Sequence, residues 1–279
     1  MFNSLSTSPG MLYERDKFNL GLEVNARASD DAIYILNHLG TKVEAGSYDK
    51  TLSPLFNTTN DAFATVAASL GYKHFGFSYF NRGVANAVLN NPIYPNADAV
   101  INIDKGFSLG YGNEWHNFIF GLSVSTYTRN SQLRDANVLN YKDGVVLTQR
   151  TYTANTYNYS LGYLIFPQWL VIMDYKKDSL DGETLGMGSR YHFRSFNFYA
   201  ESHDLQYNNV QNSLHFGVDY TLWILKLSAG LNQLYPTYGV AIDCKYFNLT
   251  AGRGEKNIYQ QYRKPYDSYV VGLSLGYNI

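Results

Sequence analysis

Apolar and polar residues alternate along this chain almost from end to end, a period of two that sorts side chains onto the two faces of a β-strand. Phe18, Leu20, Leu22 and Val24 face one way, while Asn19, Gly21, Glu23 and Asn25 face the other. Leu214, Phe216, Val218, Tyr220 and Leu222 alternate with Ser213, His215, Gly217, Asp219 and Thr221. Tyr269, Val271, Leu273, Leu275 and Tyr277 do the same near the end. Such runs are about 8–14 residues long, beyond the usual strand of about 5–6. A tilted strand of about 9–11 residues is what crosses a bilayer. No run approaches the ~20 apolar residues of a membrane-spanning helix.

The pattern predicts strands over 17–26, 62–72, 75–80, 98–111, 117–127, 152–165, 168–176, 184–193, 195–202, 213–222, 223–231, 238–246, 247–253 and 267–279. That makes about fourteen, with soft boundaries. Connections at Lys73-His74, Phe166-Pro167, Arg194-Ser195, Leu222-Trp223 and Tyr246-Phe247 are minimal. Those at 27–61, 81–97, 128–151, 177–183, 203–212, 232–237 and 254–266 are longer and polar. Transmembrane barrels have short periplasmic turns and long extracellular loops. The expected fold is therefore all-β, a closed antiparallel transmembrane β-barrel of about fourteen strands over 17–279, preceded by an N-terminal segment, 1–16.

In such a barrel the apolar face meets lipid and the polar face a wet lumen. Parity assigns Glu23, Asp104, Asp174, Arg190, His192, Glu201, His215, Asp219, Asp243 and Lys245 to the lumen. Trp115, Trp169 and Trp223 sit beside short turns and many strands end in Tyr, as interfacial girdles require. Charge should be costly at Val218 or Leu273 and tolerated at Asp219 or Ser274. Lys105 breaks the pattern among Ile101, Ile103, Phe107 and Leu109. Snorkelling, a shifted register or a bulge at Gly106 would accommodate it.

One external segment looks helical. Ser29 can cap 28–39, Asp30 and Asp31 suit its N-terminal dipole, and Gly40 can end it. Ala32, Ile35, Leu36 and Leu39 then form one apolar stripe, with Val84, Ala87, Val88 and Leu89 of the next loop as packing partners. Ile35, Leu36, Leu39, Val88 and Leu89 are thus the candidate loop sites for an apolar ligand.

Composition narrows the function. Lys and Arg number 22 against 23 Asp and Glu, a net charge of −1, which lacks the basic excess of a nucleic-acid binder. The single cysteine, Cys244, excludes a disulfide framework or a Cys-rich zinc site. Residues 1–6 carry neither a basic start nor an apolar core, so no signal peptide is expected within this sequence. Asp30, Asp31, Glu201, His203 and Asp204 could meet at the rim as a hydrolytic cluster. Adjacent residues point apart in extended chain, however, and no enzyme is expected. His192 and His215 with Arg190, Glu201 and Asp219 could form a relay or metal site, but ordinary luminal hydrogen bonds are the simpler reading. No cofactor or metal is expected.

The segment 228–243, SAGLNQLYPTYGVAID, with the closing LSLGY of 273–277, resembles the conjugal-transfer TraF-like outer-membrane barrels, relatives of the FadL and PorV barrels. The stretch 103–111, IDKGFSLGY, resembles their mid-barrel strand, and 8–12, SPGML, their N-terminal element. The resemblance implies fourteen strands, a bacterial outer-membrane address and a plug remnant in 1–16. The function expected is a barrel that admits or transports small hydrophobic molecules, with outer-membrane lipid as its surroundings. The alternative is a non-transporting anchor with an envelope, secretion or conjugation protein as partner.

Overall fold

A computed structural model of the chain describes residues 9, 12, 18–30, 32–33, 59–90, 96–137, 145–203, 213–232, 235–244, 246–256 and 266–278. Among these are fourteen strands: β1 (Asn19–Ser29), β2 (Thr59–Tyr72), β3 (Phe75–Asn90), β4 (Asn96–Trp115), β5 (Phe118–Asn137), β6 (Val145–Phe166), β7 (Trp169–Asp178), β8 (Gly182–Phe193), β9 (Phe196–His203), β10 (Ser213–Leu222), β11 (Leu225–Asn232), β12 (Tyr235–Asp243), β13 (Phe247–Lys256) and β14 (Tyr266–Asn278). Each pairs antiparallel with its neighbours in the chain, and β1 pairs with β14 to close the barrel. Closure removes the sheet edges that would otherwise leave backbone groups unpaired in lipid.

Five two-residue turns join strands at one rim, at Lys73, His116, Pro167, Arg194 and Trp223 with the residue after each. Lys73, His116, Arg194 and Trp223 take φ of 49°, 57°, 55° and 56°. A positive φ at this position matches the turn's twist to that of the strands. Pro167 cannot adopt it. There the β6–β7 register slips between Leu164 and Phe166.

The wall is inside-out relative to a water-soluble barrel. Leu22, Phe107, Leu161 and Leu275 lie open on the outer face, whereas Ser78, Ser108 and Ser123 on the inner face are buried. Trp223 is 87% exposed at its turn and Trp115 67%, placing two large amphipathic rings at the short-turn rim. We expect Leu273→Arg to cost about 2–4 kcal/mol, because an outward charge at mid-belt must leave water. Ser274→Arg, one residue on and opposite Glu23, should be near neutral. Urea unfolding of the refolded barrel, followed by heat-modifiable gel mobility, measures both.

Strand length departs from the sequence reading. β3, β4, β5 and β6 have 16, 20, 20 and 22 residues, while β7 to β13 have 8–12. The stretches 81–97 and 128–151, expected as loops, are thus largely strand. Val88 and Leu89 belong to β3, paired with Asp98 and Ala97, and not to a loop. The cause is a change of solvent. From Trp115 to Lys105 the strand advances about 33 Å, which at a tilt of about 40° is a climb of about 25 Å, the height of an apolar belt. Above it both faces meet water, so the apolar alternation stops while the hydrogen-bonded ladder continues.

Lys105 belongs to that boundary. It stays on the outer face, between Asn81 and Thr128, and neither ladder is bulged there. A bulge and a shifted register are therefore not what accommodates it, and at the top of the belt its ammonium can snorkel to water.

At the end of β1, Asp30, Ala32 and Ile33 are helical. Ser29 Oγ accepts from the Ala32 N–H at 3.2 Å, the N-cap bond, and from the Asp61 N–H at 3.2 Å. Ile35, Leu36 and Leu39 lie outside the described residues.

Candidate luminal site

Antiparallel register stacks the inward side chains of β2 to β6 in rows. One row runs Ala67, Phe80, Gly106, Tyr127, Ala154. Its rings, Phe80 and Tyr127, have centroids 6.4 Å apart, and with the two alanines they form a buried apolar cluster. Gly106 lies between them because nothing larger fits. A Cβ there would come 2.5 Å from Tyr127 Cβ and closer still to the Thr126 carbonyl oxygen.

Two residues higher lies the row Thr65, Arg82, Asp104, Arg129, Tyr152. Asp104 is 1% exposed. It accepts from Arg82 Nε at 3.1 Å, from Arg129 Nε at 2.8 Å and from Arg129 Nη2 at 3.0 Å. Arg129 also donates to Asp181 Oδ2 at 2.9 Å, and its guanidinium lies 5.5 Å from the Tyr127 ring centre. Arginine suits the place, since its planar fork serves two carboxylates while stacking on an aromatic face.

The Asp181 contact reaches across a whole strand. Ser179, Leu180 and Asp181 link β7 to β8, and β6 separates them from Arg129. Asp178, at the end of β7, fixes this turn. Its Oδ1 accepts from the Leu180 and Asp181 N–H groups at 2.9 and 3.1 Å. Its carboxylate also accepts from the Tyr127 hydroxyl at 2.9 Å and from Thr156. The turn is thereby drawn over the inner face of β6. Aromatic pair, Asp104 ion lattice and tethered turn lie together on one side of the lumen.

Below the aromatic row the wall of β2 to β5 is lined by small residues: Ser69, Gly71, Gly76, Ser78, Ser108 and Gly110. The Ser108 and Ser125 hydroxyls are bonded at 2.6 Å, and Asn158 donates to Ser123 at 2.9 Å. Pro9 and Leu12, which belong to no strand, are fully buried.

The residues singled out by parity are dispersed around the barrel. Asp104 is the centre of the ion lattice. Asp174 accepts from Ser160. Glu23 stands opposite Ser274, Arg190 opposite Tyr199, Glu201 opposite His215, and Asp243 opposite Asn248. His192 lies near the short-turn rim, its Nδ1 2.9 Å from Asn197 Oδ1, while His215 lies near the other rim. The fold therefore separates the two histidines. Asp219 is bonded to Lys226 at 2.7 Å and to Tyr199. That pair corrects the expectation that Asp219 tolerates arginine, which would face Lys226 with a like charge. Lys245, Asp31 and Asp204 are outside the described residues. Among the described residues no group of three or more His, Cys, Asp or Glu could hold a metal ion.

Arg82, Arg129, Asp178 and Asp181 were not singled out by the sequence. Arg82 and Arg129 fall in the stretches that read as loops, and only the register brings them to Asp104.

A closed fourteen-strand antiparallel barrel with an apolar outer belt and a polar, hydrogen-bonded inside is the architecture of an outer-membrane β-barrel. The comparisons agree at the level of the fold. The chain is similar over 99% of its length to the Ralstonia pickettii toluene transporter TbuX, with TM-score 0.63, 9% identity and 93% of that chain covered. It is similar over 99% to the CymD monoaromatic hydrocarbon channel, with TM-score 0.61, 11% identity and 92% of that chain covered. The Pseudomonas putida toluene transporter TodX matches over 98%, with TM-score 0.59, 10% identity and 92% of that chain covered. The likeness is one of fold: a closed barrel of the kind these channels share. No family model and no curated protein sequence matches the chain.

Proposed function

We propose that the chain is a bacterial outer-membrane barrel that admits small hydrophobic molecules. The observation that carries this reading is a barrel similar over nearly the whole chain to structures described as toluene transporters and monoaromatic hydrocarbon channels. We read residues 1–16 as a plug remnant, a reading that the complete burial of Pro9 and Leu12 supports. The resemblance of the segment 228–243 to the TraF-like barrels supports kinship with them within this fold. The polar inward residues, from Glu23 to Asp243, line the lumen, and the Asp104 lattice with the Asp178-held turn is the constriction that a permeant must pass. Ile35, Leu36 and Leu39 are the apolar residues proposed to collect a permeant outside.

The test is uptake by proteoliposomes carrying the purified barrel, with toluene and a fluorescent fatty acid as probes. Uptake above that of empty liposomes is expected, and it should rise when Arg129→Ala loosens the constriction. Uptake of neither probe, by wild type or variant, would overturn the transport reading in favour of an anchor.

A further inference from the structure

From the upper part of β6 we infer a strand-addition site, outside the membrane, for an extended acidic segment of another protein. The site follows from unequal strand lengths. β7 pairs with β6 only from Thr156 to Phe166, and at Asp178 it turns away. At the last paired level, the Asn155 N–H donates to Ser179 Oγ at 3.0 Å, and its carbonyl accepts from the Ser179 N–H at 3.0 Å. Backbone direction repeats every two residues in a strand. Thr153, Thr151 and Gln149 therefore present their N–H and C=O groups to the same side, where no strand lies among the described residues. Residues 146–153 are exposed on both faces, unlike the alternating pattern below them.

Natural edge strands are blunted by proline, several charges or bulges. Here 145–154 reads VVLTQRTYTA: β-branched and aromatic residues, no proline, no glycine and one charge, Arg150. A single bulge interrupts it, beside Leu133 and Arg134. About nine residues of usable edge span roughly 30 Å.

Two features select the occupant. An antiparallel newcomer prolongs the line of β7, so its interface is continuous with the β6–β7 ladder. Copies of this barrel inserted in one membrane all run β6 in the same direction, so a second copy would meet the edge parallel and tilted. The inferred occupant is a strand from a different molecule; protection of Gln149, Thr151 and Thr153 before any peptide is added would put a segment of this chain there and overturn the inference. Its charge is set by Arg150, which makes no ion pair among the described residues, so a carboxylate placed opposite would complete it. Backbone bonds supply affinity and alternate side chains supply selectivity, the usual division in strand addition.

The probe is a fluorescent ten-residue peptide of alternating Val and Thr with two central Glu, added to the full chain in lipid nanodiscs. Saturable binding is expected, with amide exchange slowed at Gln149, Thr151 and Thr153 but unchanged at Arg150 and Tyr152. Thr151→Pro removes one open N–H while sparing the β5 ladder, and should weaken binding by about tenfold or more with native gel mobility. Arg150→Glu should reverse the preference toward a Lys-containing peptide. No saturable binding up to about 1 mM, equal binding by a folded Thr151→Pro variant, or equal binding of Glu and Lys peptides to the wild type would overturn the inference. Should Thr151→Pro fail to fold, the exchange pattern of the wild type decides alone: alternate protection supports strand addition, and its absence rejects it.

Discussion

Asp104→Ala should lower the stability of the refolded barrel by about 3–5 kcal/mol, the usual cost of stripping one partner from a buried ionic group. The carboxylate is 1% exposed and takes hydrogen bonds from two guanidinium groups. Removing it leaves Arg82 and Arg129 side by side on one row, with Asp181, itself about half exposed, as the remaining counter-charge. Repulsion then acts where solvent screens little. The double neutral replacement Arg82→Gln with Arg129→Gln, combined with Asp104→Asn, should recover much of the loss, because no uncompensated charge is left. Urea midpoints from gel mobility report all three proteins. An Asp104→Ala midpoint equal to wild type would show that the lattice contributes nothing to the fold.

Gly106→Val should be the most damaging single change, preventing the β4–β5 ladder from closing at the aromatic row. Overpacking a core usually costs about 1–3 kcal/mol, because neighbours can shift rotamers. Here the obstructing atoms are the Thr126 carbonyl and the Cα and Cβ of Tyr127, the latter two at 2.7 and 2.5 Å, which no rotamer change can move. Gly106→Ala should therefore already exceed about 3 kcal/mol, and valine should leave little heat-modifiable folded protein. Removing the ring with Tyr127→Ala should not rescue it. Gly83→Ala is the control, since a Cβ there meets nothing within 4 Å, and a change within about 0.5 kcal/mol is expected. Equal refolding yields for the two substitutions would contradict the close approach at Gly106.

The contrast between these two glycines separates what the chain announces from what it conceals. In sequence Gly83 falls in a stretch that reads as a loop and Gly106 in a predicted strand, and neither reading says how much room a side chain would have there. Their difference arises from the partner strand, where β5 brings a backbone carbonyl against one of them. The two arginines behave alike: Arg82 and Arg129 look like loop charges until register places them either side of Asp104.

By itself the sequence determined the strands within the belt, the outward and inward faces, the short turns at one rim and the cap at Ser29. Each depends on local chemistry: side-chain period, turn geometry, or the contrast between lipid and water. The tertiary structure alone decided how far β3 to β6 rise above the belt, that Lys105 stands at its top, and that Asp219 is held by Lys226. It also decided that the β7–β8 turn crosses β6 to reach Arg129. Above the belt both faces are wet, so polarity no longer records which residues are strand. Which charges meet depends on the register between paired strands, and a period of two is the same in every register that keeps parity.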